Sequence, residues 1–157
     1  MQDRKLSACA LALIPLLLAG CATSPDTTTP VALAEAKPAD PLSERIAYYS
    51  DLYDVPETLV RRSIEIESGY NPNSRHGPFW GLMQIRPDTA KSMGYHGTAR
   101  GLLDADTNLK YAVAYLSNAY VVADRNPDRA IRLYASGYFW EARRKGLSDR
   151  LRTADAE

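Results

Sequence analysis

Two glutamates lie two positions apart in the segment IEIESGYNP, residues 64–72. Paired carboxyl groups are the usual acid and base of a glycosidase, provided that both face one glycosidic bond. Successive helix residues turn by about 100°, so Glu65 and Glu67 would point about 200° apart and cannot flank the same bond. Glu65 is also spaced for ion pairs with Arg61 and Arg62 on an exposed helix face. We therefore expect Glu65 to lie on the surface and Glu67 to be the lone candidate acid.

The position of Glu67 favours a carboxyl group that keeps its proton. It lies in the last turn of a predicted helix, just before Gly69, where the negative end of the helix dipole disfavours a carboxylate. Apolar neighbours such as Tyr70 or Met83 would disfavour the charge further by desolvation. A raised pKa suits a general acid near neutral pH. On these residues alone, a frayed helix end without chemical function remains an equal alternative.

Hydrophobic spacing predicts the elements that must position this residue. Apolar residues recur three or four positions apart, and no strand-like alternation is present. The fold class is therefore mostly α, with six or seven short helices and long functional loops. The predicted helices cover residues 42–53, 54–68, 87–93, 106–123, 126–136 and 138–146. The buried stripe of the second is expected to hold Leu59, Val60, Ile64 and Ile66.

Capping residues predict where the helices begin and end. Ser43, Asp54 and Asn126 are candidate N-caps of the first, second and fifth helices. Gly69 and Gly137 follow the second and fifth helices, as C-terminal glycines do.

The N-terminal segment predicts export. Residues 6–20 form an apolar run too short for a membrane span, and the run ends in Ala19 and Gly20 before Cys21. This arrangement resembles the lipobox of bacterial lipoproteins, in which the cysteine thiol is lipidated, the chain is then cleaved before the cysteine, and the new N-terminus is acylated. The alternative is an ordinary secretory signal peptide with a chance cysteine. If Cys21 carries the lipid, Cys9 is removed with the signal peptide, and no disulfide remains in the mature domain.

Three segments follow from this pattern. Residues 1–20 are the predicted lipoprotein signal peptide, and residues 21–41 are the lipidated cysteine with a flexible tether rich in Pro, Thr and Ala. Residues 42–157 form the predicted domain. Ala22 is not the aspartate that often retains lipoproteins in the inner membrane, so the expected location is the periplasm, anchored to the outer membrane.

Charge and motif content exclude several function classes. The 19 basic and 19 acidic side chains cancel, and no basic run offers a nucleic-acid surface. His76 and His96 stand alone in loops, without HExxH or a cysteine pair, so no metal or other cofactor is expected. No GxSxG elbow of a serine hydrolase is present. No feature identifies a protein partner.

Four motifs occur in order along the domain: ESGYNP (67–72), GLMQIRPDTA (81–90), NLKYAVAYL (108–116) and LYASG (133–137). Together they resemble the catalytic domain of the family 1 lytic transglycosylases, the soluble-lytic-transglycosylase (SLT) type of the goose-lysozyme-like fold. The resemblance covers about residues 42–140. It implies a peptidoglycan lyase that cleaves the MurNAc–GlcNAc β-1,4 bond and forms 1,6-anhydroMurNAc, without a cofactor.

The resemblance also implies a function for individual residues. Glu67 matches the single catalytic acid, and Ser68 matches the serine that orients this acid and contacts the sugar. Tyr134 matches the tyrosine that hydrogen-bonds near the acid, while Asn108 and Tyr115 are interpreted as scaffold. The residues expected to line the glycan groove are Gly81, Leu82, Met83 and Gln84.

The chain departs from the family pattern at two places. The segment HGPFWGLMQ stands where GA-x-GLMQ is usual, and the preceding loop is one residue shorter. Phe79 and Trp80 in this segment are either sugar-stacking platforms or loop-packing residues. Ala135 replaces the usual asparagine of A-x-YN-x-G, so the hydrogen bond of that asparagine is lost.

The implied mechanism needs only one carboxyl group of the protein. Glu67 would protonate the glycosidic oxygen, the substrate's N-acetyl group would stabilise the oxocarbenium-like centre, and the C6 hydroxyl would close the anhydro ring. One alternative is a hydrolytic muramidase of the same fold, which uses water instead. Another is a peptidoglycan-binding lipoprotein of low activity. The expected partners are peptidoglycan glycan strands and, through the lipid on Cys21, a membrane.

Overall fold

The structure is a computed structural model that describes residues 40–155. It is mostly α-helical, which confirms the predicted fold class. The helices are α1 (Pro41–Leu52), α2 (Glu57–Ser68), α3 (Pro87–Ser92), α4 (Ala105–Val122), α5 (Pro127–Ser136) and α6 (Phe139–Arg144). Two short 3₁₀-helices cover Ala99–Leu103 and Ser148–Arg150. Within residues 40–155 no helix combines the length and the hydrophobicity that crossing a bilayer requires.

Helix α4 forms the centre of the domain. It is 18 residues long, packs against α1 and α5, and is buried on most of its circumference. Helix α1 turns Ile46 and Tyr49 toward this core, and Tyr53, which follows the helix, is buried as well. The burial of these positions, and of Leu109 and Val113 on α4, agrees with the predicted hydrophobic spacing.

Two predicted N-caps are wrong. Asp40, not Ser43, caps α1: its carboxylate accepts hydrogen bonds from the Ser43 backbone N–H and hydroxyl, at 3.0 and 2.7 Å. Pro41 then occupies the first turn, where a missing N–H costs nothing. Asp54 has a φ of 54° and lies outside α2, which begins after Pro56. The αL conformation of Gly69 after α2 and the Asn126 cap of α5 are as predicted.

The apolar stripe of α2 is narrower than predicted. Ile66 is 58% exposed, whereas Leu59, Val60 and Ile64 are buried. Ile66 lies two positions after Ile64 and therefore about 200° around the helix from it, on the outer face.

Glu65 is exposed, as predicted, but the expected ion pairs form elsewhere. Arg61 pairs with Glu57 on its own helix, with 2.6 Å between nitrogen and oxygen. Arg62 reaches Asp128 on α5, also at 2.6 Å. The pair with Asp128 joins two helices, a geometry that spacing within one helix does not reveal.

A small hairpin, absent from the sequence prediction, follows α2. Strands β1 (Arg75–His76) and β2 (Phe79–Trp80) pair antiparallel, and each has only two residues, too few to show an alternating pattern. Trp80 and Ile85 then exchange two backbone hydrogen bonds of 3.1 Å. These bonds close a turn at residues 81–84, which we call the 81–84 turn.

One buried side chain on α4 holds the 81–84 turn. Asn108 is fully buried, and its amide nitrogen donates to the carbonyls of Trp80 and Leu102, both at 2.8 Å. Its amide oxygen accepts from the Met83 N–H at 2.9 Å. A Cβ on Gly81 would lie 2.3 Å from this amide nitrogen, and φ there is +75°, so the turn requires glycine at this position.

Asn108→Ala is expected to lower the free energy of unfolding by about 3 kcal/mol, because three backbone groups lose a hydrogen-bond partner inside the protein. Urea denaturation of the variant and the wild type measures the difference. Asn73→Ala changes an exposed asparagine and is the matched control, expected to stay within about 0.5 kcal/mol of wild type. Equal losses in both variants would contradict the function assigned to Asn108.

Candidate active site

A cavity of about 850 Å³ lies beside the C-terminal end of α2. We call it the main cavity. Its volume falls in the range of pockets that bind small ligands. Side chains from the β1–β2 hairpin, α3, α4 and the α5–α6 junction surround it, together with residues 151–153. Glu67 is on its wall.

The carboxyl group of Glu67 is half-buried at the end of α2. Burial raises its pKa above the ordinary value of 4.5, the direction that the sequence predicts. No salt bridge to Glu67 forms within residues 40–155, so no cation offsets the cost of desolvation there. Tyr70, expected to cover Glu67, is instead exposed and donates its hydroxyl to the Arg61 carbonyl at 3.3 Å.

Ser68 joins the end of α2 to the 81–84 turn. Its hydroxyl donates to the Leu82 carbonyl at 2.7 Å, and the Ile64 carbonyl is farther away at 3.3 Å. Ser68 is not on the wall of the main cavity. Its hydrogen bond fixes the backbone next to Glu67.

The 81–84 turn lies mostly behind the wall of the main cavity. The side chains of Leu82 and Met83 are fully buried in the core, and Gly81 packs against Asn108. What the turn offers to the site is backbone, because the carbonyls of Leu82 and Met83 accept hydrogen bonds from Ser68 and Tyr134. These three residues, predicted to line a groove, therefore support it from behind.

Gln84 is the member of the turn that lines the main cavity. Its amide nitrogen donates to the carbonyls of Gly81 and Ser74, at 2.8 and 3.1 Å. Its amide oxygen lies 2.8 Å from Nδ1 of His76, which also lines the cavity. Both the nitrogen and the oxygen of the side-chain amide are thus held by protein groups. The backbone of Gln84 is in the left-handed region, with φ at +48°.

Tyr134 on α5 contacts the same turn from the opposite side. Its hydroxyl donates to the Met83 carbonyl at 2.8 Å. Burial, and then the nearby Glu67 charge, raises the pKa of this hydroxyl well above its ordinary value, so the phenol stays neutral. Tyr134 therefore lines the cavity beside Glu67 as a fixed, uncharged ring.

Tyr115, interpreted as scaffold from the sequence, also lines the main cavity. Its ring packs against those of Tyr134 and Tyr138, with centroids 5.4 and 4.6 Å apart. Because α4 is buried on most sides, its periodicity does not distinguish a cavity-lining ring from a core residue. The three tyrosines form one continuous wall.

The structure separates Phe79 from Trp80. Phe79 lines the main cavity and is exposed, as a stacking residue must be. Trp80 is not on the cavity wall; it packs partly buried against the core, with the Arg75 guanidinium 4.2 Å from its ring centroid. Ala135, the departure from the family pattern, is exposed on the wall next to Tyr134.

Residues 151–153, which no sequence pattern singled out, complete the wall. Asn118 on α4 holds this segment by binding both backbone polar groups of Arg152, as a residue of a neighbouring β-strand would. Its amide oxygen accepts from the Arg152 N–H at 3.0 Å, and its amide nitrogen donates to the Arg152 carbonyl at 2.9 Å. The pairing joins residues 34 positions apart and so leaves no local pattern in the sequence.

Within the described part of the chain, no three acidic, histidine or cysteine side chains converge as metal ligands do. His76 is engaged with Gln84, and His96 is exposed in a loop.

Comparison with known proteins adds to this geometry. The family model described as the transglycosylase SLT domain matches residues 44–155, which include Glu67 and every residue that lines the main cavity. The chain belongs to the transglycosylase SLT domain family. This SLT domain shares 32% identity over 121 residues with two curated proteins named endo-type membrane-bound lytic murein transglycosylase A, from two strains of Klebsiella pneumoniae.

The aligned region covers 68% of this chain and 58% of each relative, so the SLT chain spans little more than half the length of these proteins. No solved structure matches the chain.

Glu67→Gln is expected to raise the melting temperature at neutral pH and to have little effect near about pH 4. The folded state holds the Glu67 proton more tightly than the unfolded chain does. Wild-type stability therefore falls as the pH rises through the raised pKa, whereas glutamine avoids this loss. Calorimetry of both proteins across this pH range measures the difference. Glu65→Gln, on the exposed face of α2, should give a pH profile parallel to wild type; a Glu67→Gln difference that is independent of pH would contradict the desolvation of Glu67.

Proposed function

We propose that this protein is a peptidoglycan lytic transglycosylase that cleaves the MurNAc–GlcNAc β-1,4 bond and forms a 1,6-anhydroMurNAc end. The observation that carries the proposal is the half-buried carboxyl group of Glu67, with its raised pKa, on the wall of an 850 Å³ cavity. A protonated carboxyl group in a cleft is the general acid that glycosidic cleavage requires. Membership of the SLT domain family and the names of the two relatives support the same reaction.

In the proposed reaction Glu67 acts twice. It first donates its proton to the glycosidic oxygen as the bond to the muramoyl C1 breaks. The substrate's own N-acetyl group stabilises the positive charge at C1. The Glu67 carboxylate then takes the proton of the C6 hydroxyl while the C6 oxygen bonds to C1, which closes the anhydro ring without consuming water. Glu67 ends protonated and ready for the next turnover.

The other predicted site residues would position this acid and the strand. Ser68 on α2 and Tyr134 on α5 donate to the adjacent carbonyls of Leu82 and Met83. These two hydrogen bonds would fix the end of α2, and with it Glu67, relative to α5. Gln84 and Phe79 would present a polar edge and a ring to the sugar. Gly81, Leu82 and Met83 would act through the backbone of the turn.

One observation favours the hydrolytic muramidase as a second candidate. Asp88 at the start of α3 is another acidic residue on the cavity wall. A two-carboxylate hydrolase would use it as the base that activates water. Asp88 is exposed, lies 3.8 Å from the Arg86 guanidinium, and contributes nothing to the raised pKa of Glu67, so the single-acid mechanism is the better supported of the two.

Glu67→Gln is expected to lower the release of muropeptides from purified sacculi by a factor of about 10² to 10⁴, because the amide cannot donate the proton. Mass spectrometry of the wild-type products should find 1,6-anhydro ends. Glu65→Gln is the matched control on the same helix and should keep near-wild-type activity. Asp88→Asn should also retain most activity in the single-acid mechanism.

Three outcomes would contradict this proposal in different ways. Reducing ends, with loss of activity in Asp88→Asn, would indicate the hydrolase. Sacculus binding without products in the wild type would indicate a binding lipoprotein of low activity. Near-wild-type activity of Glu67→Gln would remove Glu67 from the reaction.

We also propose that the enzyme is anchored to the outer membrane from the periplasmic side. The relatives are named as membrane-bound. In this chain the proposal rests on the sequence of residues 1–20 and on Cys21, which lie outside the described residues. The domain would be joined to the lipidated cysteine by the remaining residues before α1.

Cys21→Ser is expected to abolish labelling by radioactive fatty acid and to leave the signal peptide uncleaved, because the serine hydroxyl is not the thiol that accepts the lipid. Metabolic labelling followed by membrane fractionation measures both effects. Cys9→Ser, inside the predicted signal peptide, is the matched control and should be processed normally. Lipid labelling of the Cys21→Ser protein would contradict the anchor.

A further inference from the structure

Two large aromatic side chains stand exposed at the start of α6. Phe139 is 58% exposed and Trp140 is 73% exposed. Their rings meet edge to face, with centroids 5.3 Å apart and planes at 74°. We call these two residues the aromatic pair. Contiguous exposed aromatic residues often mark a binding site.

Contacts other than those of the aromatic pair anchor α6. The helix is anchored by the buried Ala142 and by the salt bridges of Glu141 with Arg129 and Lys145. Neither ring of the aromatic pair takes part in these salt bridges, and both rings are exposed. The exposed rings therefore call for another explanation than core packing.

The aromatic pair is continuous with the main cavity. Phe139 lines that cavity, and Trp140 follows it directly on the outside. The preceding residue, Tyr138, is buried against Tyr115, and its hydroxyl accepts a hydrogen bond from the Asn118 amide at 3.0 Å. The start of α6 is thus held by the same tyrosine wall that faces Glu67.

We propose that the aromatic pair is an additional saccharide-binding subsite, on which the glycan strand continues after it leaves the main cavity. This inference rests on the proposed function, because it assumes that a glycan occupies the cavity. A glycan strand is a linear polymer, so the sugars next to the cleaved bond must leave the cavity at an edge. The C–H faces of pyranose rings pack against aromatic rings, and rigid rings lose little entropy on binding.

The surroundings of the aromatic pair fit the same ligand. The Arg143 guanidinium lies 5.9 Å from the Trp140 ring centroid, where it would also meet a carboxylate of a stem peptide on the strand. A lipid surface is the competing occupant, because aromatic and basic residues also favour membrane interfaces. The placement of Phe139 on the wall of the main cavity favours the glycan.

The test measures binding in full-length, lipidated protein in detergent, with Glu67→Gln as the parent so that no strand is cut. The probes are glycan strands released from purified sacculi and sorted by length, and a single disaccharide–peptide unit. The variant Trp140→Ala, which leaves the cavity wall intact, is expected to bind long strands about tenfold more weakly than the parent, which corresponds to about 1.4 kcal/mol. Its affinity for the short unit, which the cavity alone can hold, should not change.

The matched control is Tyr48→Ala in the same parent. Tyr48 is also an exposed aromatic residue, 51% exposed, with an edge-to-face neighbour in Tyr49 and the Arg45 guanidinium 4.7 Å from its ring. It lies outside the wall of the main cavity, so its removal should leave strand binding unchanged. Trp140→Phe keeps an aromatic ring, so it should retain most of the parent's affinity for long strands.

Each other outcome overturns the inference in a distinguishable way. Unchanged affinity of the Trp140→Ala variant for long strands contradicts the subsite but leaves the proposed function intact. An equal loss for the short unit indicates general damage to the cavity, and so contradicts a separate subsite. Weaker binding to vesicles of anionic phospholipid, with unchanged glycan binding, assigns the pair to a membrane surface. A parent that binds no glycan of any length contradicts both the subsite and the proposed function.

Discussion

The amide of Asn108 is the interaction on which the site depends. It is buried on α4 and binds the backbone of Trp80, just before the 81–84 turn, and of Met83 within the turn. Ser68 on α2 and Tyr134 on α5 then donate to the carbonyls of the two central residues of that turn. The end of α2, and with it Glu67, is therefore positioned through a four-residue turn that has no regular secondary structure of its own.

The chemistry of Glu67 follows from what this arrangement places around it. The neutral phenol of Tyr134 lies near the half-buried carboxyl group of Glu67, and desolvation raises the pKa of Glu67 with no opposing cation among residues 40–155. Such an environment costs stability whenever the carboxyl group is ionised. The hydrogen bonds of the turn stabilise the backbone next to Glu67, and this stabilisation offsets that cost. The raised pKa of Glu67 therefore depends on the hydrogen bonds that hold the 81–84 turn.

The sequence predicts this structure well where the determinants are local. Periodicity locates the helices, and Gly69 and Asn126 mark the end of α2 and the start of α5. Local patterns still leave a choice among neighbouring capping residues, as at the start of α1. It fails where the determinants are distant. The burial of Tyr115 beside the cavity and the pairing of Asn118 with Arg152 depend on contacts between remote segments. The motif GLMQ shows a third limit: a pattern of residues around a site does not distinguish side chains that face a ligand from those that hold the backbone behind it.

Asn108 and Asn118 together explain how irregular segments can form a precise cavity. A buried backbone group needs a hydrogen-bond partner, and segments without regular structure have few of their own. Both asparagines supply that partner from α4, and no buried polar side-chain atom in residues 40–155 lacks a hydrogen bond. The backbone of these wall segments is thereby held by α4, so a wall residue whose side chain makes none of these hydrogen bonds can change its type. Ala135 illustrates this: the neighbouring Tyr134 is held through the Met83 carbonyl and needs nothing from residue 135. Replacing the usual asparagine with alanine therefore changes what the cavity offers to its ligand and leaves the frame around Glu67 intact.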